Sequence, residues 1–540
     1  MSDFVVLGSG AAGLTGALVA AIGGASVTVL EKAELVGGTT AISGGGAWLP
    51  NTRHLSDVGL EDTPEAALTY LRSMACGTGD DTHLVSLIEH APEVVEFLED
   101  QAGIPFQIWP AIGGCIDYRP WLPGAKLGGR TVEVLGISLS ELGDWKDRIR
   151  VDPALRSSNN LLDYYSQMHH LFPMPAGPSE PLPECVDTYW RGTALAVRLL
   201  KACLDREVDV RTSTRAIELI LEGGRVVGVK AEHDGQCHEF RAPHVLVATG
   251  GFTHNEELKR LWLTRPIDYT CDVETNEGDG HLMAMAAGAQ MAGIGDAWWM
   301  PHTPLGRAGQ PVNAGGTRED RILPHTLMVN EAGQRFMNEA LNYYDAGEAF
   351  GRRSGPGPRN FPAWLVFDQE GVDRYGVLAY KVPPEDERPE WFHAADTIRD
   401  LARSINVEPD AMQLTIERFN GFARSGLDTD FGRGESEWDR AWGDPNNTPN
   451  PSLGTIDRSP FYAVPIYPGA VSTRGGLRVD DIGRVLSAKS GEPIPGLYGA
   501  GNCSNGSAAG GYAGPGATIG PAMTFGYLIG RTVADAVGRG

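Results

Sequence analysis

Cysteine is scarce in this 540-residue chain: Cys76, Cys115, Cys185, Cys203, Cys237, Cys271 and Cys503 include no CxxC or CxxH pair. That scatter and odd number exclude a disulfide scaffold and give neither zinc nor an iron–sulfur cluster its ligand spacing. No metal site is expected, and a reducing, cytoplasmic compartment fits. The thirteen histidines form no HExxH. Positive charge is also thin, with 45 Lys and Arg against 69 Asp and Glu, a net charge of −24. No basic field is left for nucleic acid or an anionic lipid face. Nor does any stretch supply the roughly 20 uninterrupted apolar residues of a spanning helix, so no transmembrane segment is expected. Peripheral membrane association stays open. The apolar opening carries Asp3 where a signal peptide has a basic flank, and Gly8, Gly10 and Gly13 interrupt it.

What the chain has is glycine: 70 residues, with no collagen period, crowded at 8–13, 37–46, 250–251, 475–476 and 510–520. Such clusters let backbone approach a ligand. With 42% hydrophobic residues the chain can bury a large core. Residues 4–7 read as a buried parallel strand, GSGAAG (8–13) as a turn, 11–22 as a small-residue helix and 26–30 as a second strand ending at Glu31. Helical patterns follow at 64–76, 82–101 and 192–206. From 211 to 251 alternating strands predict an antiparallel meander that returns to the parallel sheet. Between 281 and 451 the text turns to tryptophan, charge and proline, and DPNNTPNPSLG (444–454) reads as a linker. The expectation is an α/β protein. A Rossmann-like nucleotide domain (1–280 and 452–540) with a parallel sheet and β-meander would carry an inserted α+β catalytic cap (281–451).

In GSGAAG, Gly8 permits the turn, Gly10 lets backbone approach a pyrophosphate, and Gly13 lets helix and strand pack closely. Ala11 and Ala12 open the helix, whose N-terminus faces negative charge. Glu31, 18 residues after Gly13, is placed to accept from ribose hydroxyls, with Lys32 beside it. The hydroxyls of Thr39, Thr40 and Ser43 and the bare backbone of Gly38, Gly44 and Gly45 suit a flavin's ribityl chain and ring edge. A nicotinamide has no use for them. Further contacts are expected from Ala216 in the meander and from Ala248, Thr249 and Gly250 in ATGGF. Gly501 and Asn502 in GLYGAGN, with Gly516, Thr518 and Ile519 in the last glycine turn, complete the set.

This constellation resembles the fumarate reductase and 3-ketosteroid dehydrogenase superfamily of FAD enzymes, over nearly the whole chain. Succinate dehydrogenases attach flavin covalently through a histidine near the first cluster, where Thr39 stands here, so the resemblance implies non-covalent FAD. Fumarate reductases carry H-T-M-G-G and N-E-x-T-T-R-D. The matching texts are Ser472-Thr473-Arg474-Gly475-Gly476 and Asn338-Glu339-Ala340-Leu341-Asn342-Tyr343-Tyr344, and both signature residues are missing.

NEALNYYDAG (338–347) and GGYAGPGATIGPAMTFGY (510–527) instead resemble 3-ketosteroid 1-dehydrogenases. The resemblance implies that Tyr343 is the proton acceptor, with Tyr344 the open alternative. It also implies that Tyr512 and Gly516 hold the 3-keto oxygen and that Tyr118, in CIDYRPWLPG, hydrogen-bonds the base. The related 4(5α)-dehydrogenases have a serine where Gly514 stands, which favours 1,2-desaturation. The chemistry asks for such groups: donors must meet the carbonyl oxygen where enolate charge develops, a base must take the α-proton, and the hydride would pass to flavin N5. A tyrosine serves as base only if its phenolate is stabilised, and Arg119 is positioned in sequence to do so. Trp109, Trp121, Trp298 and Trp299 suit a flat apolar substrate or equally shrink the cavity, and Asp279 reads as a turn residue. The implied reaction is FAD-dependent desaturation of a 3-oxosteroid, with an external acceptor such as a quinone. A dehydrogenase of small cyclic ketones, a fumarate reductase-like flavoprotein and a flavin-binding protein without turnover stay open.

Overall fold

The computed structural model describes residues 2–77, 79–109, 116–151, 188–303, 320–351, 360–376, 388–506 and 510–538. Phe4–Leu7 is buried at all four positions, because parallel strands cover both its edges and helices cover its faces. It lies between His244–Val247 and Val27–Leu30 in a six-stranded sheet. Asp209–Arg211 extends the sheet on one side and Pro493–Gly499 on the other, and antiparallel Arg484–Leu486 closes that edge. Chain segments from both ends thus build one nucleotide-type sheet. The meander is present as Arg215–Glu222, Arg225–His233 and Gln236–Arg241. The three predicted helices are Pro64–Ala75, Asp81–Ala102 and Arg191–Leu204.

Small residues explain how the C-terminal helix Ile519–Gly538 sits on the first helix, Ala11–Ile22. A Cβ on Gly526 would fall 2.5 Å from the Ala12 carbonyl oxygen, and one on Gly530 2.7 Å from that of Gly16. Only glycine lets the two backbones approach so far. As a result, the helix that begins at Ile519 starts beside the GSGAAG turn.

A second sheet is organised by the 17-residue strand Phe461–Leu477, which pairs with Met291–His302, Ala363–Asp368, Tyr269–Thr270 and His393–Ala395. Thr326–Val329 adds to Ala363–Asp368. The long strand therefore runs from the inserted region back toward the nucleotide sheet, and its far end carries Ser472, Thr473 and Arg474. A third sheet of Ala47–Trp48, Thr131–Val134 and Phe106–Ile108 lies under the last glycine turn.

Residues 444–454 are not a free linker. Asp444, Asn450 and Ser452 are buried, Tyr375 donates to Asp444 at 2.8 Å, and Ser452 donates to the Asp439 carbonyl at 2.9 Å. Their prolines and asparagines make local turns that hydrogen bonds to neighbouring elements then lock. Cys115 and Cys185 lie outside the described residues. The other five cysteines form no disulfide among the described residues, and no described helix is long and apolar enough to cross a membrane.

Candidate active site

The glycine turn is shaped by close approach. Gly8 has φ +102°, and a Cβ there would lie 2.4 Å from the Ala248 carbonyl oxygen; a Cβ on Gly13 would lie 2.0 Å from that of Gly8. Beyond the turn opens a cleft. It is lined by Gly8, Gly10, Ala11 and Ala12 at the start of the first helix, by Glu31 and Lys32, and by Gly38, Thr39, Thr40 and Ser43. Ala216, Ala248, Thr249 and Gly250 line it from the meander side, Gly501 and Asn502 from the turn after Pro493–Gly499, and Thr518 and Ile519 from the start of the C-terminal helix. Gly13, Gly44, Gly45 and Gly516 lie outside this lining. Gly13 serves the turn, while Gly45 packs on the backbone of Arg191 and Gly192.

Glu31 is poised by three bonds: it accepts from the Ser9 N–H at 3.0 Å, the Ser9 hydroxyl at 2.6 Å and the Ala33 N–H at 2.8 Å. Lys32 is held at 2.8 Å from both Glu277 and Asp279. Asp279, expected only to turn the chain, sits in the first turn of the helix Asp279–Ala286, pairs with Lys32 and Arg215, and lines the cleft. A carboxylate for ribose, backbone donors at a helix start, bare glycine backbone and hydroxyls along one wall fit an FAD molecule.

Asp272 and Asn276 carry no sequence motif, and Ser472 entered only as the residue standing where fumarate reductases have a histidine. Fully buried Asp272 accepts from Thr253 at 2.9 Å, Ser472 at 2.7 Å, Asn276 and Thr39, and burial pushes its carboxyl above the usual range. Through Thr39 and Asn276 it braces the cleft wall.

Next to the cleft is an aromatic group drawn from distant segments. The rings of Tyr118, Tyr343 and Tyr512 pack with centroids 5.2 to 5.3 Å apart. Trp438 closes one side, 4.7 Å from Tyr118. Trp298 joins this group to the cofactor cleft: its ring stands edge-on to Tyr512 at 5.3 Å, and its indole N–H donates to Asn502 at 3.0 Å. Backbone ties hold the segments in register. The Tyr118 N–H donates to the Ala513 carbonyl at 3.0 Å, and Asn342 donates to the Tyr118 carbonyl at 3.1 Å.

Tyr344 borders the same group, its ring 6.2 Å from those of Tyr512 and Trp298, and its hydroxyl accepts from Arg474 at 3.3 Å. Arg119 also does not meet the expectation placed on it: its guanidinium pairs with Asp345 at 2.6 Å, so its charge is spent on a carboxylate. Burial lifts the Tyr343 phenol well above its usual value, and Tyr118 and Tyr512 lift it further. Of the four tryptophans, Trp298 and Trp299 are buried in the aromatic cluster, Trp109 packs on Gly46, and Trp121 is half exposed at the surface.

Gly516 has φ +85°, and a Cβ there would strike the Gly46 carbonyl oxygen at 2.3 Å. The loop around it is tied back through its carbonyls: Ala513 accepts from the Tyr70 hydroxyl at 2.7 Å, Pro515 from Thr131 at 2.8 Å, and Gly516 from the Trp48 N–H at 3.0 Å. The Gly516 N–H makes no hydrogen bond among the described residues. Three buried phenols packed ring to ring, and the glycine loop after Tyr512 with an amide N–H that makes no bond among the described residues, supply groups that can hold a carbonyl oxygen and exchange a proton next to it.

A family model described as FAD binding domain matches residues 3–519. The 4-oxocyclohexanecarboxylate 2-dehydrogenase of Sinomonas cyclohexanicum is 39% identical over 98% of this chain and 92% of its own length. The 3-oxosteroid 1-dehydrogenase of Mycobacterium tuberculosis (strain ATCC 25618 / H37Rv) is 38% identical over 99% of both chains. The solved 3-ketosteroid delta1-dehydrogenase from Sterolibacterium denitrificans, in complex with 1,4-androstadiene-3,17-dione, matches with a TM-score of 0.88 and 32% identity over 99% of each chain.

Proposed function

The chain belongs to the FAD-binding flavoprotein family that includes the 3-oxosteroid 1-dehydrogenases, and from that membership we propose that it desaturates a ring ketone, removing hydrogen from carbons 1 and 2 of a 3-oxosteroid. The observation that carries this reading is the ring-to-ring packing of Tyr118, Tyr343 and Tyr512 against Trp298, which reaches the cofactor cleft through Asn502. Bound FAD supplies the hydride acceptor.

The chain's own groups acidify and remove the α-proton. Tyr512 O–H and Gly516 N–H donate to the ketone oxygen, where negative charge grows as the enolate forms, and each donor contributes about 3–4 kcal/mol. Tyr343 takes the proton from the neighbouring carbon, and Tyr118 hydrogen-bonds the oxygen that receives it. Trp298, Trp438 and the packed rings keep water away, which strengthens those bonds. Because Tyr343 is a high-pKa phenol at rest, only its ionised fraction can act as base.

In this reading residues 1–280 and 452–540 form the FAD-binding domain and 281–451 the catalytic cap, which the strand Phe461–Leu477 completes. An external acceptor, read as a quinone, regenerates the cofactor in the cytoplasm. A single-ring ketone substrate is the second reading, favoured by the 39% identical Sinomonas relative.

Purified yellow enzyme with a dye acceptor tests both. We expect dye bleaching with 4-androstene-3,17-dione and none with fumarate. Bleaching by 4-oxocyclohexanecarboxylate but not by the steroid selects the single-ring substrate; bleaching by neither ketone removes the desaturase.

A further inference from the structure

The Gly516 amide has a fixed direction, and a residue far from it in sequence sets that direction. Pro515 C=O and Gly516 N–H belong to one planar trans peptide, so the two bonds point opposite ways. Whatever grips the carbonyl aims the N–H. Thr131 does so from the middle strand of the third sheet, donating its hydroxyl to the Pro515 oxygen at 2.8 Å. The strand leaves Thr131 little freedom, since it is 1% exposed, pairs with Trp48 on one edge and accepts from the Trp109 N–H at 2.9 Å on the other.

The next peptide is tied as well, by the Trp48 N–H to the Gly516 carbonyl at 3.0 Å. Between these two ties Gly516, at φ +85° and pressed against Gly46, has one orientation open to it. Donation to the carbonyl also polarises the amide, making its N–H a stronger donor. We propose that Thr131 is a positioning residue for the reaction, aiming the Gly516 N–H at the substrate oxygen from behind the peptide plane. This rests on the reading that Gly516 donates to a ring ketone. Trp48 acts through backbone alone, so Thr131 is the one of the two ties that a side-chain change can cut.

Thr131→Val keeps the shape and strand preference of the side chain and removes the hydroxyl; Thr131→Ser keeps the hydroxyl and removes the methyl. With FAD-loaded enzyme and a ketone that the wild type oxidises, two rates are read: kcat, and anaerobic uptake of solvent deuterium at the carbon beside the carbonyl. T131V is expected to lower both about 10- to 100-fold with little change in KM and full FAD content, while T131S stays within about threefold of wild type. Unchanged rates in T131V overturn the proposal. So does an equal fall in T131S, which assigns the effect to packing of the methyl on Gly46, and so does loss of FAD from T131V, which makes the hydroxyl a structural tie. A wild type that oxidises no ring ketone instead removes the proposed function and leaves the geometry of the peptide untouched.

Discussion

The cofactor cleft and the tyrosine corner are neighbours built on opposite principles. The cleft recognises its ligand with backbone, so its key residues are glycines whose missing Cβ atoms admit other backbone at 2.0 to 2.4 Å. The corner works with side-chain hydroxyls brought from positions 118, 343 and 512, held in register by contacts that cross the sequence. One is a local device that a short motif encodes; the other exists only after the chain has folded. A substitution in the first should therefore act on whether FAD binds, and one in the second on how fast the loaded enzyme turns over.

The largest effect that tests this contrast is at Gly8. Gly8→Ala places a methyl 2.4 Å from the Ala248 carbonyl in a left-handed backbone conformation, and the purified protein should come out colourless. Retained FAD would show the cleft to be more pliant than described. Next is the corner: Tyr512→Phe and Tyr343→Phe should each lower kcat by about 10²–10³ with FAD content unchanged. Loss of cofactor in either would erase the distinction between the regions, and an effect of Tyr344→Phe in place of Tyr343→Phe would move the base by one residue.

A smaller effect is set by pH. Tyr343 is raised above its usual 10.0, so its phenolate fraction grows about tenfold per pH unit throughout the working range. Log kcat/KM should climb with a slope near one and reach no plateau below about pH 10. A plateau near neutrality would mean that something other than Tyr343 takes the proton.

Smallest is a stability effect under the loop. Burial pushes Glu133, on the same strand as Thr131, up to about 7 from 4.5, because the charged form is poorly solvated there. A carboxyl raised in the folded state contributes stability that is present below its unfolded value and lost as pH rises through the folded one. Glu133→Gln should therefore stabilise the protein at about pH 8, by roughly 3 kcal/mol at most, and change little at about pH 4. Thermal melts at the two pH values check the sign, and equal shifts at both would contradict it.

The same contrast explains what could be read from sequence. GSGAAG with its flanking strands, Glu31 and the hydroxyl-rich stretch after it are contiguous, so period and spacing reveal them and the cleft contains nearly all of them. Tyr343 and Tyr512 stood out only by resemblance to known motifs. Arg119 shows the limit: its neighbour in sequence is Tyr118, but its partner in space is Asp345, 226 positions away. Tyr70, Thr131 and Trp438 left no local signal for the same reason, as ordinary residues of a helix or strand whose meaning is the carbonyl or ring they reach. Asp272 could have been suspected only from the hydroxyls that converge on it.

The central claim is that Tyr512 helps a ring ketone give up its α-proton beside FAD. Anaerobic mixing of FAD-loaded enzyme with 4-androstene-3,17-dione and with 4-oxocyclohexanecarboxylate, followed by flavin absorbance, tests it most directly. At least one ketone should bleach the wild-type flavin within the mixing time of the assay, and Y512F should stay yellow over that interval although it binds FAD as well. Equal bleaching in Y512F, or none in wild type with either ketone, would contradict the account.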